Sequence, residues 1–253
     1  MERSGQTYCR ASAYRGPVRA ESPISPPLVA WGNAWLSGHV GLDEAIDQVE
    51  KLSGPAVVGS LPLRRYLAEL RVDGLGELRL ALPAPGDPLG LSGPPAFNAA
   101  AVEAGEAVIA VLGDRALGLV PSPDLRGSSY SGVLLAVHES GPPRADLPSL
   151  AEAERELTAS MRAATEALAE VSGPPQGHPG RLDRVNSALA PGYPPRAHRV
   201  SALASRLSAA LLVADDRGLT ATQIATRSVA LRALDSAVRR ALVSAHHAIF
   251  EPL

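Results

Sequence analysis

Strand-type alternation of apolar residues is confined to the first 140 or so positions of this 253-residue chain, and from residue 149 onward every apolar run repeats at helical spacing. Leu78, Leu80 and Leu82 alternate with Arg79 and Ala81, the two-residue period of a strand with one covered face. Ala107 to Leu112 and Arg115 to Val120 flank Gly113-Asp114, and two β-prone runs joined by a two-residue glycine-containing turn predict a β-hairpin over 107–120. Gly132 to His138 reads as a further strand after the polar loop Gly127-Ser128-Ser129. The expectation is a small sheet of about four mostly antiparallel strands, with N-terminal helices on one side.

Those helices are legible from their spacing and their stops. Leu28, Trp31 and Trp35 recur at three and four residues after Pro27, a position where a first-turn proline is tolerated. Asp43 is a good N-cap for a second helix, with Ile46, Val49 and Leu52 on one face until Gly54-Pro55. Ala56 to Gly59 is too short to type, and a third helix opening at Ser60 buries Leu63, Leu67 and Leu70. Residues 83–95 hold five prolines and three glycines and predict a long loop, followed by a short helix near Ala96 to Ala104. Residues 1–25 lack apolar periodicity and contain Gly5, Gly16, Pro17 and Pro23, which predicts a disordered tail.

Beyond Gly141-Pro142-Pro143 the pattern is helical throughout. Ser149 and Glu152 form a capping box ahead of a stripe running from Leu150 through Leu157, Met161, Ala164 and Leu168. A short helix is expected at Leu182, Val185 and Leu189, a longer one from Val200 to Leu211, and a terminal one opened by a second box at Thr220 and Gln223. Three parts follow: a tail at 1–25, an α+β sheet domain at 26–147, and a four-helix bundle segment at 148–253 docked on the sheet.

Composition excludes more chemistry than it suggests. With Cys9 alone there is no disulfide framework and no multi-cysteine metal site, and a lone thiol suits a reducing, cytoplasmic compartment. No run approaches the length of a membrane helix. Lys51 is the single lysine beside 23 arginines, so any lysine-dependent mechanism would have to use a residue on a helix surface. No phosphate loop, H-E-x-x-H or C-x-x-C spacing occurs, and His39, His138, His178 and His198 stand in dissimilar contexts, so neither metal nor cofactor is expected. Gly127-Ser128-Ser129-Tyr130-Ser131-Gly132 has the serines of a nucleophile elbow but is followed by a strand where that motif needs a helix.

The most organised polar surface lies on the terminal helix. At 100° per residue Arg232, Asp235, Arg239 and His246 form one column beside the apolar stripe, in which Asp235 can pair with either arginine and leave donors for an anion or a partner carboxylate. Trp31 and Trp35 share a helical face and are candidates for a homodimer contact or a domain junction. Charge is also uneven: residues 26–147 carry 8 basic and 14 acidic side chains, and residues 194–247 carry 8 arginines against 3 aspartates. Complementary docking within the chain explains that asymmetry, and nucleic-acid binding by the arginine-rich helices is the alternative. The combined reading is a non-catalytic protein-interaction or regulatory protein. Its rival is a small-molecule-binding protein or enzyme with a pocket between sheet and bundle, near the 83–95 loop.

Overall fold

The structure, a computed structural model, describes residues 23–124, 130–142, 147–171, 189–213 and 221–251. Most of the expected tail, the Gly127-Ser128-Ser129 loop, the helix expected around Leu182 and Val185, and the Thr220–Gln223 capping box lie outside the described residues or side chains. In chain order the first half comprises α1 (Ser25–Leu36), α2 (Leu42–Ser53), β1 (Ala56–Val58), β2 (Leu61–Pro62), α3 (Leu63–Val72), β3 (Leu75–Ala81), α4 (Pro95–Ala104), β4 (Ala107–Leu112), β5 (Arg115–Asp124) and β6 (Gly132–Ser140). The second half comprises α5 (Leu150–Val171), α6 (Pro195–Val213) and α7 (Ala221–His247), closed by a 3-10 turn at Ala248–Phe250.

The fold is α+β, and the sheet is larger than four strands. Among the described residues six strands run in the order β2-β1-β6-β5-β4-β3. The hairpin forms as expected, with Val111 opposite Ala116 and Leu112 opposite Arg115 across Gly113, whose φ of 62° a side chain would strain. Two differences have physical causes. Ala56–Val58 is a strand paired in parallel with β6, Val57 facing Leu134, so the sheet is mixed; three residues show no periodicity of their own, and their strand state comes from the partner. Pro121 and Pro123 do not end β5, which continues to Asp124 against β6. Pairing with β4 stops at Leu119, so on that side the prolines face an open edge where no N–H is needed.

The first helix begins at Ser25, inside the stretch assigned to the tail, and Ile24 is fully buried. Prolines 26 and 27 lack the N–H groups a helix start leaves unpaired, and the Ser25 N–H donates to Glu106 Oε2 at 3.0 Å. That bond ties α1 to the turn before β4. On the other face of the sheet α4 packs Phe97 and Ala101 against Ile109, Ala116 and Val120. Gly118 lies directly under the Phe97 ring, with no room for a Cβ. Gly105, at φ 74°, closes α4 in the left-handed conformation with its N–H on Ala101 O.

The larger core joins both halves of the chain. Leu28, Leu78, Leu80, Val108 and Leu119 from the first half form one contiguous cluster with Leu157, Val200, Val238 and Val243 from the second. The Ser149–Glu152 capping box forms as the sequence specifies: Ser149 N–H donates to Glu152 Oε2 at 3.0 Å and Glu152 N–H to Ser149 Oγ at 3.3 Å. Both α5 and α6 lie against α7, and the C-terminal part of α7 lies against β3 and α1. From Ala237 to Ser244 that helix is buried nearly all round, with only Arg240 half-exposed.

Candidate functional site

β3 is an edge strand, so alternate residues direct their N–H and C=O groups away from β4. Leu78, Leu80 and Leu82 occupy those positions, and side chains from surrounding elements bond them in place of a seventh strand. Asn33 on α1 both donates Nδ2–H to Leu78 O at 2.7 Å and accepts Leu78 N–H on Oδ1 at 2.8 Å. Leu80 N–H donates to His247 Nε2 at 3.1 Å, and Arg239 Nη1 donates to Leu82 O at 2.8 Å. Near the start of the strand Arg71 Nη1 donates to Leu75 O at 2.8 Å. The edge is closed by a clasp of side chains, two of them from α7.

Arg239 is the centre of that clasp. It is 6% exposed, and besides Leu82 O it reaches Asp235 Oδ2 through Nε at 2.9 Å and Asp87 Oδ2 through Nη2 at 3.0 Å. Asp87 stands at the head of the 83–95 loop in a tight turn, where Ala84 and Asp87 exchange two backbone hydrogen bonds and Gly86 adopts φ 82°. Its carboxylate also accepts from Ser236 Oγ at 3.0 Å and Arg240 Nη2 at 3.5 Å. Burial pushes the Asp87 carboxyl up, but the Ser236 hydroxyl and the Arg239 and Arg240 guanidinium groups outweigh it and hold the pKa below the usual carboxylate range. The proline-rich loop is therefore anchored: it forms the receptor for α7.

This geometry revises the expected polar column. Arg239 and Asp235 are joined as the spacing implied, but Arg239 points into the chain and its donors meet internal acceptors. Arg232, two turns from Arg239, is exposed and donates to Ser228 Oγ at 3.5 Å. His246 is buried, with Nδ1 donating to Leu242 O at 2.7 Å, and burial lowers its pKa to about 4, so it is neutral at pH 7. Tyr193 Oη donates to the backbone carbonyl of the same residue at 2.9 Å. The column fails as one surface because α7 is gripped on several sides, whereas the helical-wheel reading assumes a helix lying on a single surface. Trp31 and Trp35 pack half-buried at the margin of the main core.

Two depressions among the described residues bear on function. One, of about 400 Å³, lies between Glu77 and Arg79 of β3 and the end of α7, and includes Ser149, Ser244, His247 and Glu251. Its polar groups are engaged with one another or with nearby backbone. Glu77 pairs with Arg79 at 3.0 Å, Ser244 Oγ donates to Pro148 O at 2.9 Å, and Glu251 Oε1 accepts Leu150 N–H at 3.0 Å. Because His247 Nε2 accepts from Leu80, the proton resides on Nδ1. Burial, then the Arg79 and His246 charges, lower its pKa to about 3, far from the neutral value a general base needs. Among the described residues no group of three His, Cys, Asp or Glu side chains is placed to hold a metal ion. No described helix is long and apolar enough to cross a membrane.

The other depression, of about 500 Å³, is an open groove along the outer side of the α5–α7 pair. α5 supplies Ser160, Ala163, Ala164 and Ala167, and α7 supplies Val229, Ala230 and Ala233. Alanines at both surfaces let the helix backbones approach and leave a shallow trough. Val229 stands 60% exposed on its wall, and Leu212, 69% exposed, lies at the same end of the bundle. The sequence reading did not single out this groove, because alanines on a helix surface carry no periodic apolar signal of their own. It also missed Asn33 and His247; an asparagine inside an apolar helical stripe was the one signal for a buried hydrogen-bonding role.

A mixed sheet with a side-chain-clasped edge and a helical arm on one shared core corresponds to a pair of matched domains. Residues 25–149 match the family model for the N-terminal domain of Rv1486c-like protein, and residues 151–243 match that for its C-terminal domain. The boundary between them falls at the Ser149 capping box. Among curated proteins the chain is similar to uncharacterized protein Rv1486c of Mycobacterium tuberculosis H37Rv, 28% identical over 285 residues, which covers 89% of this chain and 96% of that protein. Uncharacterized protein MT1533 of Mycobacterium tuberculosis CDC 1551 matches with the same identity and coverage. No solved structure gives a significant match.

Proposed function

We propose that this chain is a non-catalytic protein-interaction protein that engages its partner through the distal part of the α5–α7 pair. The observation that carries this reading is the contrast between two kinds of surface. Of the polar residues most suited to chemistry or anion binding, Arg239, Asp87 and His247 are engaged in holding α7 to the sheet and the 83–95 loop, and His246 is buried with its Nδ1–H on Leu242 O of its own helix. Among the described residues nothing lies over the apolar groove at Ala163, Ala230 and Val229. An open, mostly apolar trough on a helix pair is the form in which a partner helix is accepted. Arg196 pairs with Glu154 at 2.6 Å and Arg240 with Asp87 at 3.5 Å, so part of the arginine excess of the second half is neutralised inside the chain, which weighs against nucleic acid as the partner.

The test is affinity capture from native cell extract with the wild-type chain and the Val229→Arg variant side by side, analysing proteins, nucleic acids and metabolites together. A protein retained by the wild type and lost by the variant supports the reading. A small molecule co-purifying equally with both, and no protein that distinguishes them, overturns it.

A further inference from the structure

We propose that the occupant of the α5–α7 groove is a second copy of this chain, with α5 of each protomer lying against α7 of the other in a two-fold four-helix arrangement. The proposal rests on the protein-interaction reading above and narrows it to one partner.

The first reason is shape. The groove carries its own complement: Val229 projects from the wall while Ala163, Ala164 and Ala230 form a hole of matching character beside it. A two-fold axis parallel to the helices places the Val229 side chain of one protomer over the alanines of the partner, and the reverse contact follows by symmetry. The antiparallel register of the pair is constant along its length, since Pro148 meets Ser244 near one end while Ser160 lines the groove with Ala233 and Ala163 with Ala230. Under that axis each helix of the assembly is antiparallel to both of its neighbours, the arrangement of an up-down bundle.

Charge is the second reason. Exposed Glu156 and Glu166 flank the α5 side of the groove, about 40 to 60° round the helix from Ser160 and Ala163 respectively. Exposed Arg232 flanks the α7 side, at the same angular offset from Val229. The arginines of α5, Arg155 and Arg162, lie further round toward its outer face. A copy related by the proposed axis sets the acidic margin of α5 against the basic margin of the partner's α7. Arg232 then falls between the levels of Glu156 and Glu166, within about 8 Å of each along the axis, a span a guanidinium side chain covers. The alternative axis, placing α5 on α5, opposes like charges and is disfavoured.

Sedimentation of the purified full chain, at concentrations up to about 100 µM, reads the result. The expected species is twice the 26.2 kDa chain mass. Val229→Arg, at an exposed position and with its fold checked by circular dichroism, should weaken self-association more than about tenfold by burying an unpaired charge. Arg232→Glu should also weaken it, and the further substitutions Glu156→Arg and Glu166→Arg should restore it, a rescue that a merely folding-related effect would not give. A wild-type chain that remains monomeric throughout, or a dimer indifferent to both Val229→Arg and Arg232→Glu, overturns the proposal. If a protein from cell extract is still captured by the wild type alone, the interaction reading stands and only the identity of the occupant fails.

Discussion

Replacing Arg239 by methionine isolates the polar contribution of the clasp, because methionine retains most of the buried aliphatic volume. The substitution removes the bonds to Leu82 O, Asp87 and Asp235. Leu82 is buried, so its carbonyl is left without a donor, a loss of about 1–3 kcal/mol. The Asp87 side chain is 23% exposed and keeps Ser236 and Arg240, so its lost pairing adds about 1 kcal/mol after allowance for solvent. Removing a desolvated guanidinium from the interior returns about 1 kcal/mol. The net expectation is destabilisation by about 1–3 kcal/mol. In urea, with a slope of about 3 kcal/mol/M, the midpoint should fall by about 0.3–1 M at unchanged slope. Asp87→Asn combined with Arg239→Met should be non-additive by about 1–2 kcal/mol, as for groups sharing one network. A midpoint shift worth less than about 0.5 kcal/mol, or full additivity with Asp87→Asn, would refute the reasoning.

Three further outcomes follow from the same geometry. Asn33→Leu leaves Leu78 N–H and C=O unpaired and buried, and should cost about 2–5 kcal/mol in denaturant unfolding. Gly118→Ala forces its methyl group into the Phe97 ring and should destabilise by about 1–3 kcal/mol, with a Phe97→Leu background relieving part of the loss. His246 has a folded pKa lowered to about 4 from 6.5, so the unfolded chain binds the extra proton first. Its contribution is fully present above pH 6.5 and is lost as pH falls toward 4; between pH 7 and 5 it amounts to about 2 kcal/mol, and NMR titration should find its imidazole neutral at pH 5.

The parts of this fold that were legible in the sequence are those whose signal is local. Gly113-Asp114 between β-prone runs, the Ser149–Glu152 box and the Leu78–Leu80–Leu82 alternation each carry their cause within a few residues, and each forms as expected. What was not legible depends on a distant partner. Ala56–Val58 becomes a strand because β6 lies beside it, and Pro121 remains in β5 because β4 has already ended. In the candidate site, the pairing of Asp235 with Arg239 was readable from their four-residue separation. The inward turn of Arg239 and the burial of His246 were not, because both arise where α7 meets the β3 edge and the Asp87 turn, positions far away in sequence.

The halves matched by two domain models behave as one unit if the β3 edge is closed by α7 and α1 in solution. Native-state hydrogen exchange at the Leu78 and Leu80 amides reads this directly, since their acceptors are Asn33 Oδ1 and His247 Nε2. Both amides should exchange only with global unfolding, as slowly as Ile109 and Ala110 in the adjacent strand. Exchange of Leu78 and Leu80 at the rate of an open sheet edge, while β4 stays protected, would contradict a clasp that binds the two halves into one core.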